Sequence, residues 1–164
     1  MKALVIYESM FGNTRQVAEA VAEGMGGRFD VTVTEVGGAP RQVPDDVAIL
    51  IVGGPTHAFG MSRARTRESA GTQGADRDAA SHGGIREWIS TVQVPERTAV
   101  ATFDTKVTSP RLPGSAASSA QRRLRHRGLV PAARPETFYV TGTAGHLDDG
   151  ELDRAKAWGS TLAS

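Results

Sequence analysis

Apolar residues in this chain change their spacing again and again. Lys2–Glu8 is a short apolar run ending in polar residues, the pattern of a strand buried on both faces. Asn13–Met25 then sets Val17, Ala18, Val21, Ala22 and Met25 on one helical face and Glu19 and Glu23 on the other, and Gly26-Gly27 ends it. Phe29–Val36 alternates and is rich in valine and threonine, as a strand near a sheet edge is. Val47–Val52 is almost entirely valine, isoleucine and leucine, which marks a central strand, and Gly53-Gly54-Pro55 reads as its stop. A short helix over Gly84–Val92, a buried strand over Arg97–Phe103 and a helix over Ser115–Arg127 follow. Gly128–Val130 and Glu136–Val140 read as one strand interrupted around Pro131 and Pro135, and Asp148–Leu162 as a final helix. Strands alternating with helices predict an α/β fold, a three-layer sandwich around a five-stranded parallel sheet. A chain of 164 residues holds one such domain, 1–164.

One stretch breaks the alternation. Between residues 61 and 83 arginine, serine, threonine, alanine and glycine dominate, and no bulky apolar residue follows Met61. The sequence predicts a polar excursion there, with at most a weak helix, little packing and high mobility.

Composition removes several classes of function. There is no cysteine, so disulfide scaffolds, thiolate metal sites and cysteine nucleophiles are excluded. No apolar run reaches membrane-spanning length, and the first residues turn polar too soon for a signal peptide. The expectation is a cytoplasmic protein with no membrane contact. Net charge is +1 but uneven: residues 106–135 hold seven basic side chains and no acidic one. Two readings stay open for that block. Its arginines complement a helix dipole, or they form a docking patch for an acidic partner or for phosphate groups. Nucleic acid is not expected, because no aromatic residue interleaves the cations between Lys106 and Arg134.

In parallel α/β sheets ligands bind at the C-terminal strand ends, where the strand order reverses. That rule selects three loops: 9–14, 53–61 and 103–109. The first, Ser9-Met10-Phe11-Gly12-Asn13-Thr14, joins a strand to a helix N-terminus. Its hydroxyls, amide and glycine suit a phosphate group, with room for it at Gly12. A Walker loop is excluded, since no Lys-Ser or Lys-Thr follows the glycine, and no G-x-G-x-x-G follows any strand.

The first loop resembles the phosphate loop of the flavodoxins, usually Ser/Thr-x-Thr-Gly-x-Thr. Ser9, Gly12 and Thr14 match, and Phe11 replaces the central threonine. Gly54-Pro55-Thr56-His57-Ala58-Phe59-Gly60 resembles the flavin-contacting loop after the family's third strand, with one extra residue before the phenylalanine. Phe103-Asp104-Thr105-Lys106 corresponds by position to the loop after the fourth. The resemblance implies strand order 2-1-3-4-5 and one non-covalent FMN. The phosphate would lie in residues 9–14, with Ser9, Asn13 and Thr14 as donors, and the ring between 55–60 and 103–106. The tryptophan and tyrosine that flank the ring in many flavodoxins are missing from these loops, which leaves Phe59 first and His57 second as stacking candidates. Phe103 belongs either to the site or to the core.

The resemblance implies an electron carrier, a monomer or weak dimer that exchanges electrons with a reductase and an acceptor. No catalytic side chain and no metal ligand is expected. An FMN-dependent NAD(P)H:quinone-type oxidoreductase, and a cofactor-free module that binds proteins through its arginine-rich surface, are the alternatives.

Overall fold

The computed structural model describes residues 1–57, 60–72, 83–108, 113–142 and 144–164. Its strands are β1 (Lys2–Tyr7), β2 (Asp30–Glu35), β3 (Val47–His57), β4 (Gly60–Met61), β5 (Ala99–Val107) and β6 (Glu136–Val140). The helices among the described residues are α1 (Asn13–Met25), α2 (Ala64–Thr72), α3 (Ile85–Thr91), α4 (Ala116–His126) and α5 (Glu151–Leu162). Five strands run parallel in the order β2-β1-β3-β5-β6, while the two-residue β4 folds back antiparallel on the end of β3. With that hairpin strand set aside, this is the expected order 2-1-3-4-5.

The period of two along each central strand divides the core into two layers. Leu4, Ile6, Leu50 and Val52 face α3 and α4, packing with Ile85, Ile89, Ala120 and Leu124. Ala3, Val5, Ile49 and Ile51 face the other way, toward Val17, Val21 and Met25 of α1 and Ala155 of α5. Both tryptophans pack with core residues. Trp88 joins the first layer and donates its indole N–H to the Pro40 carbonyl at 3.0 Å. Trp158 meets Phe103 and Phe138 edge-on, each pair of ring centroids 6.2 Å apart.

The structure corrects two sequence readings. Gly53-Gly54-Pro55 does not stop β3, which continues to His57. At Gly53 the cross-strand partner Phe103 lays its ring over the missing side chain, and at Gly54 the Ile85 side chain does the same. These glycines let other elements approach the strand closely rather than ending it. β5 likewise outlasts its expected end and pairs with β3 as far as Thr105 opposite Pro55.

The second correction concerns the polar excursion. Its described part is packed, largely through polar groups. Ser62 and Arg67 are buried, and Arg67 donates to Ser62 Oγ at 2.9 Å and to Glu87 Oε1 at 2.5 Å. Ala70 is buried against Met10 and Phe11. The expectation for residues 73–82 lies outside the described residues.

Of the expected interrupted strand, Glu136–Val140 is present as β6, while the earlier part is an isolated bridge at Pro131 rather than a strand over 128–130. The Val100 N–H donates to the Val130 carbonyl, and the Ala132 N–H to the Val100 carbonyl. Pairing with β5 resumes at Glu136 opposite Phe103.

Candidate functional site

β1 and β3 are neighbours, yet β1 leads to β2 on one side and β3 to β5 on the other, so the order reverses between them. A cleft open to solvent lies at the C-terminal ends of these strands. Ser9, Met10, Phe11, Asn13 and Thr14 line one wall. Pro55, Thr56 and His57 line a second, and Thr105, Lys106, Val107 and Val140 the rest.

Gly12 is the N-cap of α1 and has φ +91°, a left-handed conformation. An ideal Cβ there would meet nothing within 4 Å. Backbone conformation is therefore the reason for glycine at 12, and crowding of the loop is not. No side chain caps α1 and its first turn holds no acidic residue, so its leading N–H groups have no side-chain acceptor. Ser9 Oγ accepts the Gly12 N–H at 3.1 Å, which leaves the Ser9 hydroxyl proton free to donate outward. Thr14 and Thr105 share one hydrogen bond, Oγ1 to Oγ1 at 2.8 Å, so one of the two hydroxyls keeps a proton for a ligand. Asn13 is committed elsewhere, since its Nδ2 donates to the Gly145 carbonyl at 2.8 Å and pins the loop to the 141–147 turn.

Among the described residues the cleft lining holds one cation, Lys106, and no carboxylate. Lys106 Nζ donates to the Gly114 carbonyl at 2.7 Å. Met10, Phe11, Pro55, Val107 and Val140 supply apolar walls around the donors. This donor set fits an anionic group at the α1 terminus with a flat, largely apolar body beside it.

The remaining expected site residues lie elsewhere. Phe103 is fully buried against Phe138 and Trp158, so of its two readings the core is the one realised. Asp104 is also fully buried and faces the start of α4. Its Oδ2 accepts from Thr56 Oγ1, Ser115 Oγ and the Ala117 N–H at 3.1, 2.6 and 3.0 Å. It thereby ties β3 to the helix instead of lining the cleft. Gly60 pairs with His57 in the hairpin and borders a separate depression. Ala58 and Phe59 lie outside the described residues.

Sequence reasoning missed a buried polar cluster behind the first loop. Glu8 is 1% exposed, and its Oε1 accepts the Ile85 N–H at 2.9 Å, while Oε2 has no hydrogen-bond partner. Burial pushes its carboxyl above the usual range, and Ser62 and Arg67 pull it back. The only signal was a carboxylate at the end of an apolar run.

His57 donates to or accepts from Thr66 Oγ1 at 3.1 Å. Burial, and then the Arg67 charge, lower its pKa to about 4, so it is neutral at pH 7. An unfolded histidine takes up a proton near pH 6.5 while the folded one resists until about 4. This contribution to stability is therefore present above pH 6.5 and is lost as pH falls toward 4. Between pH 7.5 and 5 the loss is expected to be at most about 2 kcal/mol. Urea unfolding of wild type and His57→Gln at both pH values measures it. Equal losses in the two proteins would assign the acid sensitivity to other groups.

The sequence model of the Flavodoxin family matches residues 5–86, which span the first two loops of the cleft and half of the chain. No curated protein is significantly similar in sequence. Among solved structures, a flavodoxin from the domain Archaea is 22% identical with a TM-score of 0.66, the match covering 99% of this chain and 96% of that one. Oxidised Flavodoxin 1 from Bacillus cereus is 16% identical with a TM-score of 0.70, covering 99% and 97%. A WrbA-like flavodoxin from Agrobacterium tumefaciens is 19% identical with a TM-score of 0.56, covering 99% and 94%. With a matching family model over half its length and the flavodoxin strand order, this chain belongs to the flavodoxin family.

Proposed function

We propose that the chain binds FMN without a covalent bond and serves as an electron carrier. The observation that carries this reading is the acid-free cleft at the uncapped N-terminus of α1. Ser9, the leading N–H groups of α1 and the Thr14–Thr105 pair would hold the phosphate. Met10, Phe11, Pro55 and the neutral His57 would flank the ring. When bound, the flavin supplies the redox chemistry, and the protein supplies binding and electrostatics. His57 brings no charge to the ring at pH 7, and Lys106 is the only cation among the described residues of the lining. No helix among the described residues is long and apolar enough to cross a membrane, and none of their side chains group as metal ligands.

Titration of the flavin-free protein with FMN and with riboflavin, followed by flavin fluorescence, tests the reading. An anion at a partly buried helix N-terminus is worth up to about 2 kcal/mol. FMN is therefore expected to bind about 30-fold more tightly than riboflavin. Equal affinities would remove the phosphate anchor, and no binding of either would remove the flavin. Direct bleaching of the bound flavin by NADPH alone would shift the reading to an oxidoreductase.

A further inference from the structure

Gly60 borders a second depression, whose other lining residues are Arg63, Arg86, Ser119, Arg122, Arg123 and His126. Its basic groups come from three places in the chain: the segment before α2, the start of α3, and α4. A helix dipole explains cations in the last turn of α4, where Arg123, Arg125 and His126 lie. It does not explain why Arg63 and Arg86 converge on the same spot. Arg86 is fixed there by the Ser62 and Met61 carbonyls, at 3.2 and 3.0 Å. Burial lowers its pKa first, and the nearby Arg123 and Arg63 lower it further. Glu87 acts in the opposite direction, but its carboxylate is held by Arg67. Arg63, Arg122, Arg123 and His126 form no ion pair among the described residues. The charge of this face is uncompensated within the described structure.

The face adjoins the candidate flavin cleft. Gly60 pairs with His57, which lines the cleft. Gly114, which accepts from Lys106 of the cleft, borders a depression shared with Ser115, Ser118, Ser119 and Arg122. An anion-preferring surface therefore runs from the cleft mouth along α4.

We infer that this surface docks an acidic redox protein, so that the partner's electron-transfer group comes to rest at the cleft mouth; this rests on the electron-carrier reading. Complementary charge raises encounter rates and fixes orientation more than it adds affinity. Breadth favours a protein over a small anion. Arg63, Arg122, Arg123 and His126 are exposed and spread along the surface, and among the described residues only Arg86 of this group is held in place by side-chain hydrogen bonds. Among the described residues that line this surface there is no phenylalanine, tyrosine or tryptophan to stack a base.

Two arms test the inference, the first independent of flavin. Decaglutamate serves as a surrogate acidic face and is titrated into the flavin-free protein at 20 mM salt by NMR. Shifts are expected at Arg63, Arg86 and residues 114–126. The Arg122→Glu/Arg123→Glu variant should bind the peptide at least tenfold more weakly. Arg41→Glu/Arg134→Glu, with the same charge change at exposed sites elsewhere, should lose less than threefold. Equal losses would reduce the effect to net charge and overturn the proposal. Displacement of the peptide by stoichiometric pyrophosphate would make the site a small-anion pocket instead. Tighter binding of a single-stranded oligonucleotide at the same residues would make it a nucleic-acid surface. In the second arm the reduced, FMN-loaded protein is oxidised by ferricyanide or by hexaammineruthenium(III). Added salt should slow the anionic oxidant and speed the cationic one, with the first effect reversed in Arg122→Glu/Arg123→Glu. The opposite salt dependence in wild type would overturn the proposal. Failure to load FMN would end the carrier reading while the peptide arm still reported on the surface.

Discussion

Gly53→Ala is expected to cost about 3 kcal/mol of stability, at the upper end of overpacking effects. A Cβ at Gly53 would lie 2.0 Å from Phe103 Cζ and under 2.5 Å from both Cε atoms. The neighbour that must yield is a rigid ring, fully buried, with Phe138 and Trp158 against it. Rotating it would break edge-to-face contacts made by one of the largest buried side chains in the protein. Gly53 also sits opposite both Tyr7 and Phe103, so backbone relief would disturb the centre of the sheet. Urea unfolding gives the loss directly. The double variant Gly53→Ala/Phe103→Leu should recover about half of the interaction cost in a double-mutant cycle, because the two residues share one space. A loss below about 1 kcal/mol, or strict additivity with Phe103→Leu, would show that the ring moves aside without cost.

Arg67→Met is expected to be comparably damaging, about 3 kcal/mol at pH 8, the low end of the range for breaking a buried ion pair, because Arg67 is buried while the Glu87 side chain is 46% exposed. Arg67 is 3% exposed, and its guanidinium connects Ser62 and Glu87 beside Glu8. Without it the buried Glu8 loses its neighbouring cation and is left with the charge of the half-exposed Glu87. The pH dependence identifies the mechanism. Glu8 already has a pKa above its ordinary 4.5, so its ionised form is penalised in the fold. That penalty is present above the raised pKa and fades as pH falls through it, because folding then favours the protonated acid. Removing Arg67 raises this pKa further and enlarges the penalty. The variant should therefore lose less stability, relative to wild type, at pH 5 than at pH 8. Adding Glu8→Gln should restore part of the loss at pH 8. A pH-independent deficit, unaffected by Glu8→Gln, would reduce Arg67 to a space-filling side chain.

These two residues also mark where sequence reading succeeds and fails. The spacing of Val17, Ala18, Val21 and Met25 placed α1 at its observed bounds, because an amphipathic face is a local pattern. The alternation over Phe29–Val36 marks an edge strand for the same reason, observed as Asp30–Glu35. Ser9-Met10-Phe11-Gly12-Asn13-Thr14 was legible because strand, loop and helix N-terminus are contiguous. Gly53 was misread because glycine as punctuation and glycine as clearance look identical until the residue opposite is known, and Phe103 is fifty positions away. The packing of the polar excursion around Arg67 escapes the sequence because counting apolar residues detects only apolar anchors. Arg67's partners Ser62 and Glu87, and the nearby Glu8, come from three separate segments. Asp104 looked like a cleft residue while the strand was thought to end at Phe103. With β5 continuing to Val107, the aspartate sits within the strand and turns to the start of α4.

The break in the last strand has a consequence for behaviour among many copies of the chain. A parallel sheet with open sides presents unpaired backbone groups that can recruit a strand from another molecule. Here one border is β6, only five residues long, with Pro131 and Pro135 in the stretch before it. Proline has no N–H to offer an incoming chain. The other border, β2, reads Asp-Val-Thr-Val-Thr-Glu, with a carboxylate at each end. A copy approaching β6 finds outward groups already taken, since the Tyr139 N–H donates to Glu151 Oε2 and the Tyr139 carbonyl accepts from the Asp148 N–H, and one approaching β2 meets like charge. The sheet is thus protected against growing into a shared ribbon, even at concentrations where its two apolar layers would reward association if exposed.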